Sequence, residues 1–422
     1  QSMALTRAGV GDDPLPYTTM PDSSTLTPTA LPYHRQIVEL LRREEPELWR
    51  WHASVRQSSA HADAVRLELL KSTYRLDRAV HAVVYTQLDA VMVRLGVTVP
   101  ATLYQAQSTG GGLNATLWFM PEEVHLVLHG PVLATLAPAE LTAVLAHELG
   151  HHLLWTMADG AYAVADRVLE AGLGHAQAEP VHHETARRWR LHTELFCDRV
   201  ALLVTGERDV VVRTLVRIET GAGEVDGAAY IAQARETLAR GAAGGGTTHP
   251  DCFIRALALT VEALAVEDQV DTANDDTIAR LVGGPLDPLN VDLHDQHRLV
   301  ALTRAALAVA LSPVFMRSEA ALAHARLFFH DFAPPDGFAT ITLPAAGEAL
   351  REYLCHLLLG VALADRDLGD PALAHALLVA RGWAWEGQLL ELMERELKRP
   401  RAELTMLARE AERLVAEAEQ AP

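Results

Sequence analysis

The sequence predicts an α+β fold that is mostly helical: a first domain with a small three-stranded sheet, followed by an all-α domain. Three observations carry that reading. Strand-like alternation is confined to residues 97–129. Almost everywhere else apolar residues recur at spacings of three and four, the helical period. An acidic stretch with Gly283-Gly284-Pro285 interrupts the pattern near residues 267–290. With 422 residues, of which 49% are hydrophobic, the chain is long enough for two cores.

In order, residues 1–30 are rich in Pro, Thr, Ser, Gly and Asp without periodicity and read as a disordered leader. Gln1-Ser2 ahead of Met3 reads as a cloning scar, and the N-terminus lacks the basic-then-apolar pattern of a signal peptide. From Pro32 to about Gly96 the period is helical, in IVELLRREEPELWRW and then a long run through AVRLELLKSTYRLDRAVHAVVYTQLDAVMVRLG. TVPATLYQAQ, LNATLWF and EVHLVLHG then read as three strands, with Gly110-Gly111-Gly112 turning the first into the second. A helix opens with Pro138 in its first turn, runs to about Ala158 and stops at Asp159-Gly160. Another covers about Glu184 to Val204 and stops at Gly206, after an irregular approach that includes Ala178–Pro180. Gly241, Gly244, Gly245 and Gly246 form a flexible break before a helix around Phe253 to Val266. The predicted organisation is thus a leader at 1–30, a first domain at 31–266, a linker at 267–290 and a helical domain at 291–422.

The formal net charge of −19 argues against non-specific nucleic-acid or anionic-membrane binding. Cys197, Cys252 and Cys355 are odd in number and widely spaced, so no disulfide framework is expected and a reducing, cytoplasmic setting fits. The longest uncharged apolar stretches, near Ala305–Leu311 and Tyr353–Ala364, are too short to cross a bilayer, and no membrane insertion is expected.

Chemistry concentrates in His147-Glu148-Leu149-Gly150-His151. Histidines four apart lie on one helical face, one turn apart, and can reach one zinc ion. Glu148 projects beside them, where it can act as general base on a zinc-bound water. Chance gives about 0.1 such matches in a chain of this composition, so neighbouring motifs must decide. Catalytic zinc ordinarily takes three protein ligands and leaves a place for water. Glu194 is the best third ligand, and Asp198, one turn along the same face, can fix the tautomer of a ligand histidine. His152 points about 100° away from His151 and is excluded as a ligand. His125, His129, His182 and His183 are read as structural, and Cys197 as a small buried residue.

Four motifs in order give this a family likeness: Asn114-Ala115 in the second strand, AELTAVLAHELGHHL, Glu194-Leu195-Phe196-Cys197-Asp198-Arg199, and Thr248-His249-Pro250 with Arg255 and Leu257. The pattern resembles the gluzincin peptidases and, within them, the HtpX and CAAX prenyl endopeptidase family, over about residues 80–265. Cys197 stands where that family usually has alanine. The resemblance implies a gluzincin metallopeptidase domain with one zinc per chain held by His147, His151 and Glu194. It implies Glu148 as general base, His249 beside the scissile carbonyl, and Asn114 and Ala115 on the strand that pairs with an extended peptide. Membrane members carry spanning helices, so a soluble branch without their prenylated substrates is the expected comparison.

The expected function is a soluble zinc endopeptidase acting on a protein or peptide substrate. The alternative is a scaffold with a latent metal site, acting on a protein partner through residues 291–422. That region faintly resembles TerB-like helical domains, and the spacing of Asp365, Asp367 and Asp370 does not fit an EF-hand.

Overall fold

A computed structural model describes residues 25–54, 59–107, 112–176, 178–242, 246, 249–261, 272–344 and 346–420. The expected leader up to residue 24, Gly110-Gly111, Gly244-Gly245, Thr248 and the end of the helix expected to reach Val266 lie outside them. The elements are α1 (Pro32–Glu44), α2 (Pro46–Ser54), α3 (Ser59–Ser72), β1 (Thr73–Arg75), α4 (Ala82–Arg94), β2 (Ala101–Ala106), β3 (Asn114–Met120), β4 (Glu123–His129), α5 (Val132–Thr135), α6 (Pro138–Leu173), α7 (Pro180–Thr205), α8 (Arg208–Thr220), α9 (Gly227–Ala239) and α10 (Cys252–Ala258). They continue with α11 (Thr272–Gly283), α12 (Leu293–Ala310), α13 (Glu319–Phe328), α14 (Glu348–Leu363), α15 (Gly369–Gly382), α16 (Glu386–Leu397) and α17 (Arg401–Gln420).

The fold is mostly helical with a small sheet, as the sequence predicts, but the sheet has four strands in the order β1-β2-β4-β3. The extra strand, β1, breaks the long helical run expected between Pro32 and Gly96. Thr73, Tyr74 and Arg75 pair antiparallel with Ala106, Gln105 and Tyr104. A three-residue strand has no period of its own to read; its partner makes it. β2 and β4 are parallel, and β3 and β4 antiparallel in the register Leu117 to Leu126. In the central β4, Val124 to Leu128 are all buried, whereas β3 alternates, with Ala115 and Leu117 buried and Thr116 and Trp118 exposed. That alternation marks a strand with one covered face. β3 is also one of the sheet's two edges.

Several boundaries differ from expectation. The helix expected to stop at Asp159-Gly160 is interrupted there, with Ala158, Asp159 and Gly160 at φ 48°, 54° and 80°, and then resumes to Leu173. Left-handed backbone costs about 1–2 kcal/mol at each non-glycine residue, and it redirects the second half of α6 along α7. Helix α7 starts at Pro180, four residues ahead of the expected Glu184, and Gly206 ends it at φ 70°. Helices α8 and α9 fill a stretch to which the sequence reading assigns no element, and α11 forms inside the expected linker.

One core joins α1, α4, the sheet, α6, α7 and α8, from Ala30 to Val282. Another joins Leu286 to Ala411 among α12 to α17. Between them lies a buried polar clamp. Arg188 on α7 donates to Glu184 at 2.7 Å and to Asp295 on α12, and lies 3.4 Å from Asp292. Tyr33 on α1 donates to Asp292 at 2.8 Å. Among the described residues no helix is long and apolar enough to cross a membrane.

Candidate metal centre

Two helices cross to make the site. α6 opens with Pro138 in its first turn, and Glu140 accepts from the Ala137 backbone N–H at 2.9 Å. Arg213 and Arg217 of α8 both bind the buried Glu140 and fix that helix start. α6 then buries Leu141, Val144, Leu145 and Leu149. His147 and His151 fall on the adjoining face, which follows from the 3.6-residue period.

Gly150 sets how closely the helices meet. A Cβ there would lie 3.0 Å from Cys197 Cα and 3.2 Å from its sulfur. The absent side chain thus lets α7 lie against the histidine turn. On α7, Glu194 and Asp198 share one face at four-residue spacing, and both are buried.

The resulting geometry brings these four side chains together. His147 Nε2 and His151 Nε2 each lie 3.5 Å from a different oxygen of the Glu194 carboxylate. His147 Nδ1 lies 3.0 Å from Asp198 Oδ1, an interaction that holds a proton on Nδ1 and turns Nε2 toward Glu194. Arg255 of α10 grips Asp198 from behind, Nε to Oδ2 at 2.7 Å and Nη2 to Oδ1 at 2.6 Å, and comes within 3.6 Å of Glu194. His249 Nδ1 lies 3.0 Å from Glu194 Oε2, with its side chain 63% exposed at the mouth. Glu148 is buried, with the Leu117 backbone of β3 beside it. Asn114 is exposed at the start of β3, and Ala115 next to it is buried.

The protonation pattern follows from these contacts. Burial would lower the proton affinity of His147, but Asp198 and Glu194 outweigh it and push it up to about 10. Burial drives His151 down to about 4; Glu194 opposes it, and the charges of His147 and Arg255 add to it. Burial works to raise Glu194, yet bonds from His147 and His249 hold it well below the usual carboxylate range. Burial raises Glu148, with the charge of Glu194 adding and that of His147 opposing. An ion would replace the proton on His147, because ligand imidazoles bind metals unprotonated.

The donor set fits zinc. Ligands about 2.1 Å from a tetrahedral zinc lie about 3.4 Å from one another. The two 3.5 Å separations match that edge and exceed an ordinary hydrogen bond. α7 offers a second donor as well: one nitrogen from each histidine and the Cys197 sulfur lie within 4.8 Å of one another. The Glu194 carboxylate faces both imidazoles, and its lowered proton affinity keeps it ionised. Burial, with nearby carboxylates, raises the Cys197 thiol well above its ordinary value.

His152 and His125 have other partners. His152 is buried against Phe119. His125 bonds Tyr104 at 3.1 Å and Glu123 at 2.9 Å beneath α3. From the sequence, Arg255 is a motif position that could also be a surface or core-edge salt-bridge partner, with no partner named. Its signal was its place after Thr248-His249-Pro250, but an arginine 57 residues from Asp198 shows no periodic relation to it.

Over 133 residues the chain is 37% identical to "Plastoglobule-localized metallopeptidase 48, chloroplastic" of Arabidopsis thaliana, an alignment covering 28% of this chain and 37% of that protein. The chain thus spans just over a third of the length of the curated relative it matches. No family model and no solved structure matches it. Part of this chain is therefore similar to a metallopeptidase.

Proposed function

We propose that the chain is a zinc-dependent endopeptidase, with His147, His151 and Glu194 holding one zinc ion. The observation that carries this is the pair of 3.5 Å approaches between two imidazoles on α6 and one carboxylate on α7. The partial likeness to a metallopeptidase supports the same reading. When bound, zinc supplies an acidified water and a Lewis acid for a carbonyl.

The chain's own groups do the rest. Asp198 keeps the His147 proton on Nδ1, and Arg255 neutralises the carboxylate that does so. Glu148 takes the proton of the attacking water and passes it to the departing amine; its raised proton affinity suits both transfers. His249, exposed beside Glu194, can donate to the oxygen on which negative charge develops. β3, which begins at Asn114 and Ala115, has a strand partner on one side only, and its open edge suits an extended peptide or unfolded protein as substrate. The intact Glu148 favours catalysis over a latent scaffold, since a purely structural site needs no base.

The test pairs metal content with turnover. Wild-type protein is expected to hold about one zinc and cleave an unstructured protein. Glu148→Gln is expected to keep the zinc and lose roughly 100- to 10,000-fold in rate. Undiminished cleavage by Glu148→Gln would remove the base; a zinc-free wild type would remove the site.

A further inference from the structure

Packing asks little of position 197. The side chain is fully buried at the α6–α7 crossing, against the bare backbone of Gly150. Alanine would fill much of that contact, and a buried cysteine in such a place ordinarily serves as a small apolar residue. The surroundings of this sulfur are unusual: it lies within 4.8 Å of a ring nitrogen from both His147 and His151. Sulfur and nitrogen donors on one tetrahedral zinc, at about 2.3 and 2.1 Å, are about 3.6 Å apart. A shift of about 1 Å therefore closes the gap.

A second observation shows where that shift is available. Asp198 fixes the His147 ring, but His151 Nδ1 is buried with no hydrogen-bond partner among the described residues. Ligand imidazoles ordinarily donate that N–H to an acceptor, which locks the ring. His151 has no such lock, so its ring and an ion on its other nitrogen can settle toward the sulfur.

We propose that Cys197 is an alternative third donor of the metal centre, able to take Glu194's place beside His147 and His151, which keeps a position open for water and biases the site toward thiophilic ions. The step breaks the Sγ–H bond, forms an Sγ–metal bond and releases the proton to solvent; no electron changes hands. Thiolate is a soft ligand, so cadmium gains more from it than zinc does. The proposal rests on the reading of His147, His151 and Glu194 as the metal site, and the test separates the two.

The experiment is a cobalt(II) titration of the full chain, wild type against Cys197→Ala and Cys197→Ser. Tetrahedral cobalt gives visible d–d bands, and sulfur ligation adds a near-ultraviolet charge-transfer band. Wild type is expected to show both. Either variant is expected to keep the visible bands, lose the charge-transfer band and lower the cadmium-to-zinc affinity ratio at least tenfold. Serine preserves the volume should the alanine variant fold poorly. Visible bands without charge transfer in the wild type overturn the cysteine assignment and leave the metal site standing. Charge transfer that persists in both variants overturns it too, by pointing to Cys252 or Cys355. Absence of visible bands from folded wild-type protein overturns the metal site itself.

Discussion

Asp198→Asn isolates what the carboxylate behind His147 contributes. The amide is nearly the same shape but has one acceptor where the carboxylate has two. If its oxygen takes the Oδ1 place, the contact to His147 at 3.0 Å and that to Arg255 Nη2 at 2.6 Å survive. Its NH₂ then faces Arg255 Nε at 2.7 Å, donor against donor. If the amide is turned over, Arg255 Nε keeps its acceptor but NH₂ faces His147 Nδ1. His147 must then carry its proton on Nε2, the nitrogen that faces Glu194. In both orientations Arg255 loses its charge partner and is left with Glu194 at 3.6 Å, drawing on the carboxylate proposed to hold the zinc. Outer partners of ligand histidines are ordinarily worth 10- to 100-fold in metal affinity, about 1.4–2.7 kcal/mol. Zinc affinity is expected to fall in that range, measured by competition with a chelator of known affinity at neutral pH. The metal-free variant should also melt lower, since removing one member of a buried ion pair costs about 3–5 kcal/mol. A folded Asp198→Asn protein binding zinc within twofold of wild type would refute the role assigned to this carboxylate.

Other perturbations address the scaffold. Gly150→Val forces branched carbon into the 3.0 Å approach to Cys197 Cα and is expected to destabilise by about 1–3 kcal/mol while weakening zinc binding; an unchanged melting temperature would show that the helices do not meet there. Asp166 accepts from Trp189 Nε1 at 3.0 Å, and burial raises its pKa from 3.8 to about 6 against that bond. A folded-state value above the unfolded one makes the cost of ionising Asp166 absent below about pH 3.8 and complete above about pH 6. Asp166→Asn is therefore expected to melt higher than wild type at pH 7, by on the order of 3 kcal/mol, with the difference vanishing near pH 4; a pH-independent difference would contradict it. Arg188→Met leaves Glu184, Asp292 and Asp295 without their buried cation and is expected to cost about 3–5 kcal/mol. Calorimetry should then resolve separate melting of the two cores, and one unsplit transition at the wild-type temperature would remove the clamp.

What could be read from sequence here is what repeats within one helix. His147 with His151, and Glu194 with Asp198, are four-residue spacings, and each pair emerges on one face of its own helix. The strands at 101–106, 114–120 and 123–129 were legible because alternation or an unbroken apolar run marks them. β1 was not, because three residues inside helix-forming sequence become a strand only through Ala106, Gln105 and Tyr104. Helix α8 begins its core face with Val210, Val211 and Val212, a β-branched run that hides a helical period. The relation of Gly150 to Cys197, and of Arg255 to Asp198, depends on how helices far apart in sequence cross. No window on the chain contains that information.

α7 joins features that the sequence presents as separate. Arg188, which ties α7 to α12, precedes Glu194 by six residues, about 9 Å along one helix. Between them His192 stacks on Tyr33 at 4.1 Å, and Tyr33 donates to the same Asp292 that Arg188 approaches. The clamp therefore holds α7 at the C-terminal core through charges, while Gly150 holds it at α6 through contact. Glu194 and Asp198 lie along the same rod, so their reach toward His147 and His151 depends on the rod's register. Loosening the clamp should then be felt at the proposed metal site before it is felt in the sheet, because β3 packs chiefly against α6. A weaker zinc affinity in Arg188→Met, with the sheet intact, is the specific consequence of building two anchor points and one ligand set on a single helix.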